Sequence, residues 1–247
     1  MKVFYILVGV ALLFSCKEEP KLTAHDIVEK AIETSCGGVC DEAEIAFVFR
    51  DISYKSYRKS GVFEMERVME DSIGTIRDVL TNQSFQRFVN DSLVALPDSI
   101  ARRYAASVNS VHYFVQLPYG LKDPAVEKEL LGESTVKGKD YYEIGVTFQQ
   151  EGGGDDYEDE YVYWINKENF QLDYFAYNYR TNGGGVRFRE AYNKRVVKGV
   201  RFADYNNYKY NDITFPLIKL DSLYENGQLE LLSKIETEQV EVTLLGN

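Results

Sequence analysis

The segment 141–179 constrains the fold most, because it carries three successive runs rich in tyrosine, phenylalanine, valine and isoleucine. These side chains are flat or branched at Cβ, and they suit the pleated, half-buried surface of a strand. Three glycines at 152–154 and the polar stretch 166–169 interrupt the segment where the chain must reverse. Trp164, the single tryptophan, lies near its middle. The segment therefore predicts three consecutive strands.

Most of the remaining chain also alternates between apolar and polar residues, with short breaks that imply antiparallel neighbours. Asn226-Gly227 is the strongest hairpin signal, because a type I′ turn requires positive φ at both central positions. We count about ten or eleven strands in all. The further predicted strands cover residues 44–56, 61–70, 72–81, 84–89, 188–197, 200–210, 217–225 and 228–242.

Helical patterns occur in three places. The first covers residues 23–33, the second begins near Pro97-Asp98 and ends before Pro118, and a short third one covers residues 123–130. The economical interpretation is one α+β domain over residues 23–247. In it, a large antiparallel sheet, too long to stay flat, curls into a half-barrel around two or three helices.

The long second helix has one apolar face, formed by Ile100, Tyr104, Val108, Val111 and Val115 at spacings of three and four. If the half-barrel is hollow, this face predicts the ligand-lining residues, which are Tyr104, Val108, Val111 and Val115 together with Trp164. The same residues would also suit a closed, packed core. His112 lies beside the stripe, and we interpret it as a hydrogen-bonded histidine at the edge of the core.

The first fifteen residues form an export signal rather than part of the fold. Lys2 precedes an apolar run that is too short for a permanent transmembrane helix, which needs about 20 residues. The residues Leu13-Phe14-Ser15-Cys16 resemble the lipobox of bacterial lipoproteins, which implies cleavage before Cys16 and its acylation. Residues 1–15 are thus the predicted signal peptide and residues 16–22 the lipidated tether that attaches the protein to a membrane.

Lys17-Glu18-Glu19 follows the cysteine and resembles the signal that sends some Bacteroidetes lipoproteins to the outer face of the outer membrane. A solvated tether would have the same composition. We predict an outer-membrane lipoprotein, on the periplasmic face or at the cell surface.

The other two cysteines, Cys36 and Cys40, form an even pair in an exported chain, where disulfides persist. Two of the three residues between them are glycines, so the small loop can close. The spacing differs from the CxxC of thioredoxin-like redox sites, and we predict a structural disulfide.

The formal net charge of −11 argues against a nucleic-acid partner, because phosphates repel an acidic protein. We predict no cofactor. The acidic tip of the hairpin, with Asp155, Asp156, Glu158 and Asp159, is a weak candidate for Ca²⁺, since its spacing does not match an EF-hand and such tips are usually only solvated. Sequence motifs for a serine nucleophile, a phosphate loop and a zinc site are absent, and we name no catalytic residue.

Three parts of the chain resemble the DUF6503 family of Bacteroidetes lipoproteins. They are IAFVFRD at 45–51 ahead of Tyr54, SVHYF at 110–114 leading to LPYGL at 117–121, and YVYWIN at 161–166 leading to Asp173-Tyr174. The resemblance covers roughly residues 23–242. None of these motifs is catalytic, so they imply a relationship without implying a mechanism.

The order of lipobox, helix, strands, helix and long meander is also similar to the lipoprotein carriers of the LolA/LolB type. That resemblance implies a half-open barrel of about eleven strands, lined and lidded by helices, with a concave cavity for acyl chains.

Three functions remain open from the sequence. The first is a non-enzymatic, membrane-anchored module that binds a hydrophobic ligand, lipid or acyl, in the half-barrel. The second is a surface interaction lipoprotein with a packed core and an exposed aromatic patch. The third is a hydrolase with paired carboxylates, which would need titratable groups that converge in a cleft. We predict no oligomeric state.

Overall fold

The computed structural model describes residues 21–151, 158–180 and 183–246. Within these ranges the chain forms the helices α1 (Ala24–Cys36), α2 (Asp98–Val115) and α3 (Leu220–Glu225). It also forms fourteen strands: β1 (Ala43–Phe49), β2 (Ile52–Lys59), β3 (Val62–Asp71), β4 (Gly74–Thr81), β5 (Phe85–Val89), β6 (Ser92–Val94), β7 (Val126–Val136), β8 (Lys139–Phe148), β9 (Tyr161–Asn166), β10 (Leu172–Tyr179), β11 (Gly185–Val197), β12 (Val200–Tyr210), β13 (Glu230–Ile235) and β14 (Glu238–Leu244).

The strands form two seven-stranded sheets in which every neighbouring pair is antiparallel. The first sheet has the order β14-β1-β2-β3-β4-β5-β6, and the second has the order β13-β12-β11-β10-β9-β8-β7. Several pairs contain register shifts, for example between Tyr192 and Arg195 where β11 pairs with β12. Such bulges increase the local bend and twist of a strand, which favours open, curved sheets. The structure thus confirms the predicted α+β fold with a curved antiparallel half-barrel and helices.

The chain returns from the second sheet to the first between β13 and β14, through Glu236 and Thr237. A buried carboxylate, Asp204 on β12, fixes this crossing. It accepts hydrogen bonds from the backbone N–H of Thr237 at 3.0 Å and from Arg195 Nη1 at 3.1 Å. Arg195 Nη2 in turn donates to the Thr237 carbonyl at 2.7 Å. The two sheets are therefore joined by a polar network as well as by the backbone.

The main core lies between the two sheets. It combines the buried face of α1, including Ile27 and Val28, with the inner faces of both sheets, represented by Phe47 and Tyr163. The C-terminal end of α2 contributes Val115. Each of these side chains is at most 5% exposed, so this part of the half-barrel is filled by protein.

A second apolar cluster covers the opposite face of the second sheet. Trp164 and Phe188 pack there against Leu220 and Tyr224 of α3, and the ring centroids of Phe188 and Tyr224 are 5.0 Å apart. Successive side chains of a strand point to opposite faces, so Trp164 belongs to this cluster while its neighbour Tyr163 belongs to the main core. The second sheet is therefore buried on both faces over part of its area.

Several sequence predictions are confirmed. The segment 141–179 contains β8, β9 and β10, and the long helix α2 begins at Asp98 and ends before Pro118. The helix predicted over residues 23–33 is α1, and Thr23 and Asp26 at its start form the reciprocal hydrogen bonds of a capping box. In the part of the chain described by the structure, no helix is both long and apolar enough to cross a bilayer.

The strand predicted over residues 44–56 is wrong in its length. It is a hairpin, β1 and β2, because Arg50 and Asp51 both adopt positive φ, 52° and 60°. Such a turn favours Gly or Asn, and neither residue type occurs at positions 50 and 51, so the sequence pattern does not predict the turn. The predicted strand 228–242 is likewise divided, by the crossing between the sheets, so the described residues contain fourteen strands instead of ten or eleven.

Two elements have the opposite secondary structure to that predicted. Residues from Val126 onward form β7 rather than a helix, because they pair with β8. Residues 217–225 form a 3-10 turn and α3 rather than a strand, since Leu217, Leu220 and Tyr224 are spaced to bury one helical face. Gly227, with φ of 66°, follows the end of α3 and is not part of a β-hairpin. Tertiary pairing and packing outweigh local pattern in both cases.

Candidate functional site

The helix α2 lies against the inner face of the first sheet, where it contacts β3, β4 and β5. Beneath it, the strand register aligns one inward-facing residue from each of four neighbouring strands. These are Tyr54, Arg67, Asp78 and Arg87, on β2, β3, β4 and β5 respectively. The inner face of β3, β4 and β5 therefore carries three charged residues among apolar ones, in line with Tyr54 of β2, and we call these four residues the charged row.

Asp78 is fully buried at the centre of this row and is shared by the two arginines. Its Oδ2 accepts from Arg67 Nη2 at 2.6 Å, and its Oδ1 accepts from Arg87 Nε at 2.6 Å. Arg67 Nη1 also donates to Ser107 Oγ of α2 at 2.8 Å, and the Arg87 guanidinium lies 3.5 Å from the Tyr104 ring centroid. The charged row thus attaches the middle and the N-terminal half of α2 to the sheet.

His112 attaches the C-terminal half of α2 and is completely buried. Its Nε2 is 3.1 Å from the carbonyl oxygen of Glu66, so this nitrogen carries the proton and donates it. Its Nδ1 has no hydrogen-bond partner in the described structure, and its ring packs edge-on against Phe47 and Tyr54. Burial lowers the pKa of His112 to about 4, so the imidazole is neutral near pH 7.

On β3 to β6, the inner face beside the charged row is mostly apolar and only partly covered. Strand register places these side chains on the face that α2 crosses, and each remains partly exposed. They are Phe63, Met69, Leu80, Phe85, Val89 and Val94. One helix is too narrow to cover four strands, so an apolar surface is left beside α2.

The inner face of the second sheet carries a group that we name the arginine–tyrosine patch, comprising Tyr177, Tyr179, Arg187 and Arg189. Arg187 Nη2 donates to the Tyr179 hydroxyl at 2.5 Å, and Arg189 Nη2 donates to the Tyr177 hydroxyl at 2.9 Å. The Arg189 guanidinium is also 5.2 Å from the ring centroid of Phe114 on α2. The patch therefore faces α2 from the opposite side of the half-barrel.

The structure brings only part of the predicted lining set together. Tyr104 lies on Arg87, Val108 is buried, Val111 is half-buried beside the main core, and Val115 belongs to that core. The prediction that Trp164 lines the ligand site is wrong, because its side chain points away from α2 into the cluster beneath α3. Trp164 lies on the opposite face of β9 from Tyr163, and a place in an aromatic segment does not tell which face of a strand a residue occupies.

The remaining predicted sites lie away from α2. A disulfide joins Cys36 and Cys40, with 5.5 Å between their Cα atoms, at the C-terminal end of α1. Cys16, Asp155 and Asp156 lie outside the described residues. Of the other acidic candidates, Glu158 is exposed and Asp159 is buried.

Among the residues that the structure describes, no group of three or more His, Cys, Asp or Glu is arranged to hold a metal ion. Two surface depressions, of about 390 and 550 Å³, also lie away from α2. The smaller lies beside Tyr210 and Asp212, and the larger lies along α1 between Leu22 and Lys122.

Sequence reasoning missed the charged row and the arginine–tyrosine patch. Arg67 stands between Met65 and Met69 at the spacing of one strand face, so its inward position could have been recognised. Arg187 and Arg189 alternate with Val186 and Phe188, a pattern that is typical of solvent-facing arginines on a half-buried strand. They face inward because this sheet is buried on both faces.

A search of curated protein sequences found no match. Among solved structures, the chain is similar to a LolA superfamily protein from Nitrosomonas europaea, with a TM-score of 0.50 and 12% identity over 92% of this chain and 95% of that one. It is also similar to a DUF1329 family protein from Desulfovibrio piger, with a TM-score of 0.46 and 11% identity over 90% and 91% of the two chains. The first likeness shows a LolA-like fold.

The sequence model of one protein family, described as a family of unknown function, matches residues 2–237, which is nearly the whole chain. This chain therefore belongs to the DUF6503 family.

Proposed function

We propose that this protein is a lipid-anchored, non-enzymatic binding module of the bacterial envelope, which holds a hydrophobic ligand such as an acyl chain in its half-barrel. The observation that carries the proposal is the half-covered apolar surface beside α2, which includes Met69, Leu80 and Phe85. Apolar surface left in contact with water costs about 25 cal/mol per Å², and a bound acyl chain would remove that cost.

The helix α2 is the element that would move to admit the ligand. Its middle and N-terminal half are attached to the sheet mainly by polar contacts, from Arg67 to Ser107 and from Arg87 to Tyr104, with Val108 as the one fully buried apolar side chain. By contrast, α1 is held by fully buried apolar side chains such as Ile27 and Val28. Polar contacts can exchange with water at a small net cost, whereas apolar burial cannot. We therefore assign α2 the role of a lid and α1 that of a fixed wall.

The proposed membrane anchor rests on the sequence of the N-terminal residues. Cleavage of residues 1–15 would leave Cys16 as the first residue, carrying acyl chains that hold the protein to a membrane through the tether 16–22. Lys17-Glu18-Glu19 favours the outer membrane, on its periplasmic face or at the cell surface.

Native mass spectrometry tests the binding function. The chain from Lys17 onward, which keeps every described residue, is purified and its native mass is compared with its denatured mass. We expect an extra native mass of a few hundred daltons, on the order of one or two acyl chains, that is lost on denaturation. A native mass equal to that of the chain, both as purified and after incubation with long-chain lipids, would overturn the proposal.

A pair of variants shows where the ligand lies. Met69→Glu places a charge on the half-covered surface, and it should abolish the extra mass because an acyl chain cannot solvate a carboxylate. Ile73→Glu makes the same chemical change in the same hairpin, at a residue that is 59% exposed. It should leave the extra mass unchanged.

A second candidate function is supported by the edges of the second sheet. Leu130 and Leu131 on β7, and Leu231 and Leu232 on β13, are exposed, and these are the two outermost strands of that sheet. Apolar edge strands can pair with another chain, so an interaction lipoprotein would use them. In the described part of the chain the large exposed apolar side chains are aliphatic, whereas the sequence predicted an aromatic patch. Chemical cross-linking would test this function by measuring the capture of a partner chain. Leu131→Lys, which places a charge on the apolar edge of β7, serves as the control.

A further inference from the structure

We infer that the hydrophobic ligand carries an anionic group, a carboxylate or a phosphate, which binds at the arginine–tyrosine patch. The inference rests on the proposed binding function and specifies the ligand class. It follows from three features of the patch: its uncompensated positive charge, the way its aromatic rings hold the arginines, and an unpartnered amide beside them.

The first feature is charge. Arg187 and Arg189 lie two residues apart on one face of β11, and among the described residues neither has a carboxylate oxygen within 4.0 Å. Two arginines on neighbouring parts of the sheets differ: Arg87 pairs with Asp78 at 2.6 Å, and Arg195 pairs with Asp204 at 3.1 Å. A half-buried cation without a counter-ion is costly, so two adjacent ones leave the patch ready for an anion.

The second feature is the set of aromatic rings around the guanidinium groups. Arg189 lies 5.2 Å from the ring centroids of Phe114, Phe175 and Tyr177, and Arg187 lies 5.0 Å from that of Tyr179. The rings pack around the guanidinium groups, but they do not neutralise the charge. Arg189 Nε is buried and has no hydrogen-bond partner in the described structure, so a donor remains available. A planar guanidinium with free donors matches a carboxylate or phosphate.

The third feature is Asn207, which pairs with Arg189 in the register of β11 and β12. It is 7% exposed, its Nδ2 donates to Ser233 Oγ at 3.1 Å, and its Oδ1 is buried without a partner. The serine hydroxyl can donate as well as accept, so a half-turn of the amide would let Oδ1 accept from Ser233 and leave the NH₂ group free. An anion bound at Arg189 would then accept a further hydrogen bond from Asn207.

The position of the patch defines the ligand as an amphiphile. The Arg189 guanidinium lies near Phe114 of the lid α2 and near the buried ring of Phe175. An anionic head group held there would leave its acyl chain beside the apolar inner faces. Free fatty acids and anionic phospholipids share this chemistry, and binding experiments with both can distinguish the two sources.

The test measures binding of four probes to the chain from Lys17 onward: palmitic acid against hexadecanol, and dipalmitoyl phosphatidylglycerol against dipalmitoylglycerol. In each pair only one member carries the anion. We expect the anionic member of at least one pair to bind about tenfold more tightly, as a charge-assisted hydrogen-bonded contact predicts. The pair that shows the preference identifies the source.

Two variants assign the preference to the patch. Arg189→Gln should remove it, with about a tenfold loss for the anionic probe and little change for the neutral one. Arg77→Gln removes the same charge from the outer face of β4, where Arg77 pairs with Glu66, and it should change neither affinity. Arg189→Lys keeps the charge without the planar fork and should restore part of the preference. Thermal unfolding curves confirm that each variant is folded.

The outcomes separate this inference from the proposed function. Anionic and neutral probes that bind equally well, with no effect of Arg189→Gln, would overturn the anionic site and leave the binding module intact. Failure of all four probes to bind would overturn both. A preference that Arg189→Gln leaves unchanged, in a folded variant, would also overturn the assignment to the patch.

Discussion

At the scale of single residues, His112 makes the stability of the protein depend on pH. Its Nε2 donates to the Glu66 carbonyl and its Nδ1 faces no acceptor, so a second proton would be buried without a partner. Burial lowers its pKa from 6.5 to about 4 in the folded protein. Between these two values the unfolded chain binds a proton that the folded protein does not, so the free energy of unfolding falls as pH falls.

We therefore expect His112 to contribute a loss of about 1.4 kcal/mol per pH unit between those two values, approaching 3 kcal/mol in total. Carboxylates also titrate in acid, so the measurement is a difference between variants. Urea unfolding from pH 7.5 to 4 is compared for the wild type and for His112→Gln, which keeps a donor for the Glu66 carbonyl. The variant should lack this component. His25→Gln is the matched control, since His25 is exposed on α1. Equal pH profiles for His112→Gln and the wild type would contradict the assignment.

Asp78 is the residue whose loss should cost most beneath α2. It is the one carboxylate within 4.0 Å of both Arg67 and Arg87 among the described residues, and it is fully buried. Asp78→Asn would leave two cations without a counter-ion, and we expect a loss of about 3–5 kcal/mol in the free energy of unfolding. Glu44→Gln, which breaks the exposed pair with Lys55, should cost less than about 1 kcal/mol. Comparable losses in the free energy of unfolding would show that the buried ion pairs of Asp78 stabilise the protein no more than an exposed pair does.

At the scale of elements, α3 depends on packing rather than on its own helical tendency. It has six residues, and an isolated helix shorter than about 12 residues is marginal in water. Leu220 is fully buried against the cluster that contains Trp164. We expect Leu220→Ala to cost about 2–4 kcal/mol and to shift the Trp164 emission to longer wavelength as water reaches the indole. Leu232→Ala, at a residue that is 45% exposed, should do neither.

The elements also show why sequence patterns predicted most of the fold but few of the residues at the candidate site. Periodicity identified α2 and the strands of the aromatic segment, because one face of each is apolar over many residues. It failed for α3 and for the start of β7, whose short apolar stretches suit either structure until their neighbours are known. The site depends on which face of a strand is inward. For Trp164 and Arg189 the second sheet is buried on both faces, so alternation alone could not decide.

At the scale of the whole molecule, the two sheets are coupled at the crossing between β13 and β14. Asp204 Oδ1 accepts from the backbone N–H of Thr237 and from Arg195, and its Oδ2 accepts from Asn193 Nδ2 at 2.6 Å. The carboxylate thus receives donors from β11 on one side and from the crossing on the other. The loss of this acceptor should weaken the joint between the sheets more than it weakens either sheet.

Asp204→Asn tests this coupling with almost no change in side-chain size. The amide would place an NH₂ group against a donor, Asn193 Nδ2, and would remove the counter-ion of Arg195, so we expect a loss of about 3 kcal/mol in the free energy of unfolding. Hydrogen exchange should accelerate first in β14 and β1, which the crossing holds against the second sheet, and later in β8 and β9. Glu236→Gln alters the neighbouring residue, whose carboxylate is exposed and accepts from Tyr192, and it should cost less than about 0.5 kcal/mol. Uniform acceleration of exchange across both sheets in Asp204→Asn would instead mean that the half-barrel unfolds as one unit and that Asp204 stabilises all of it equally.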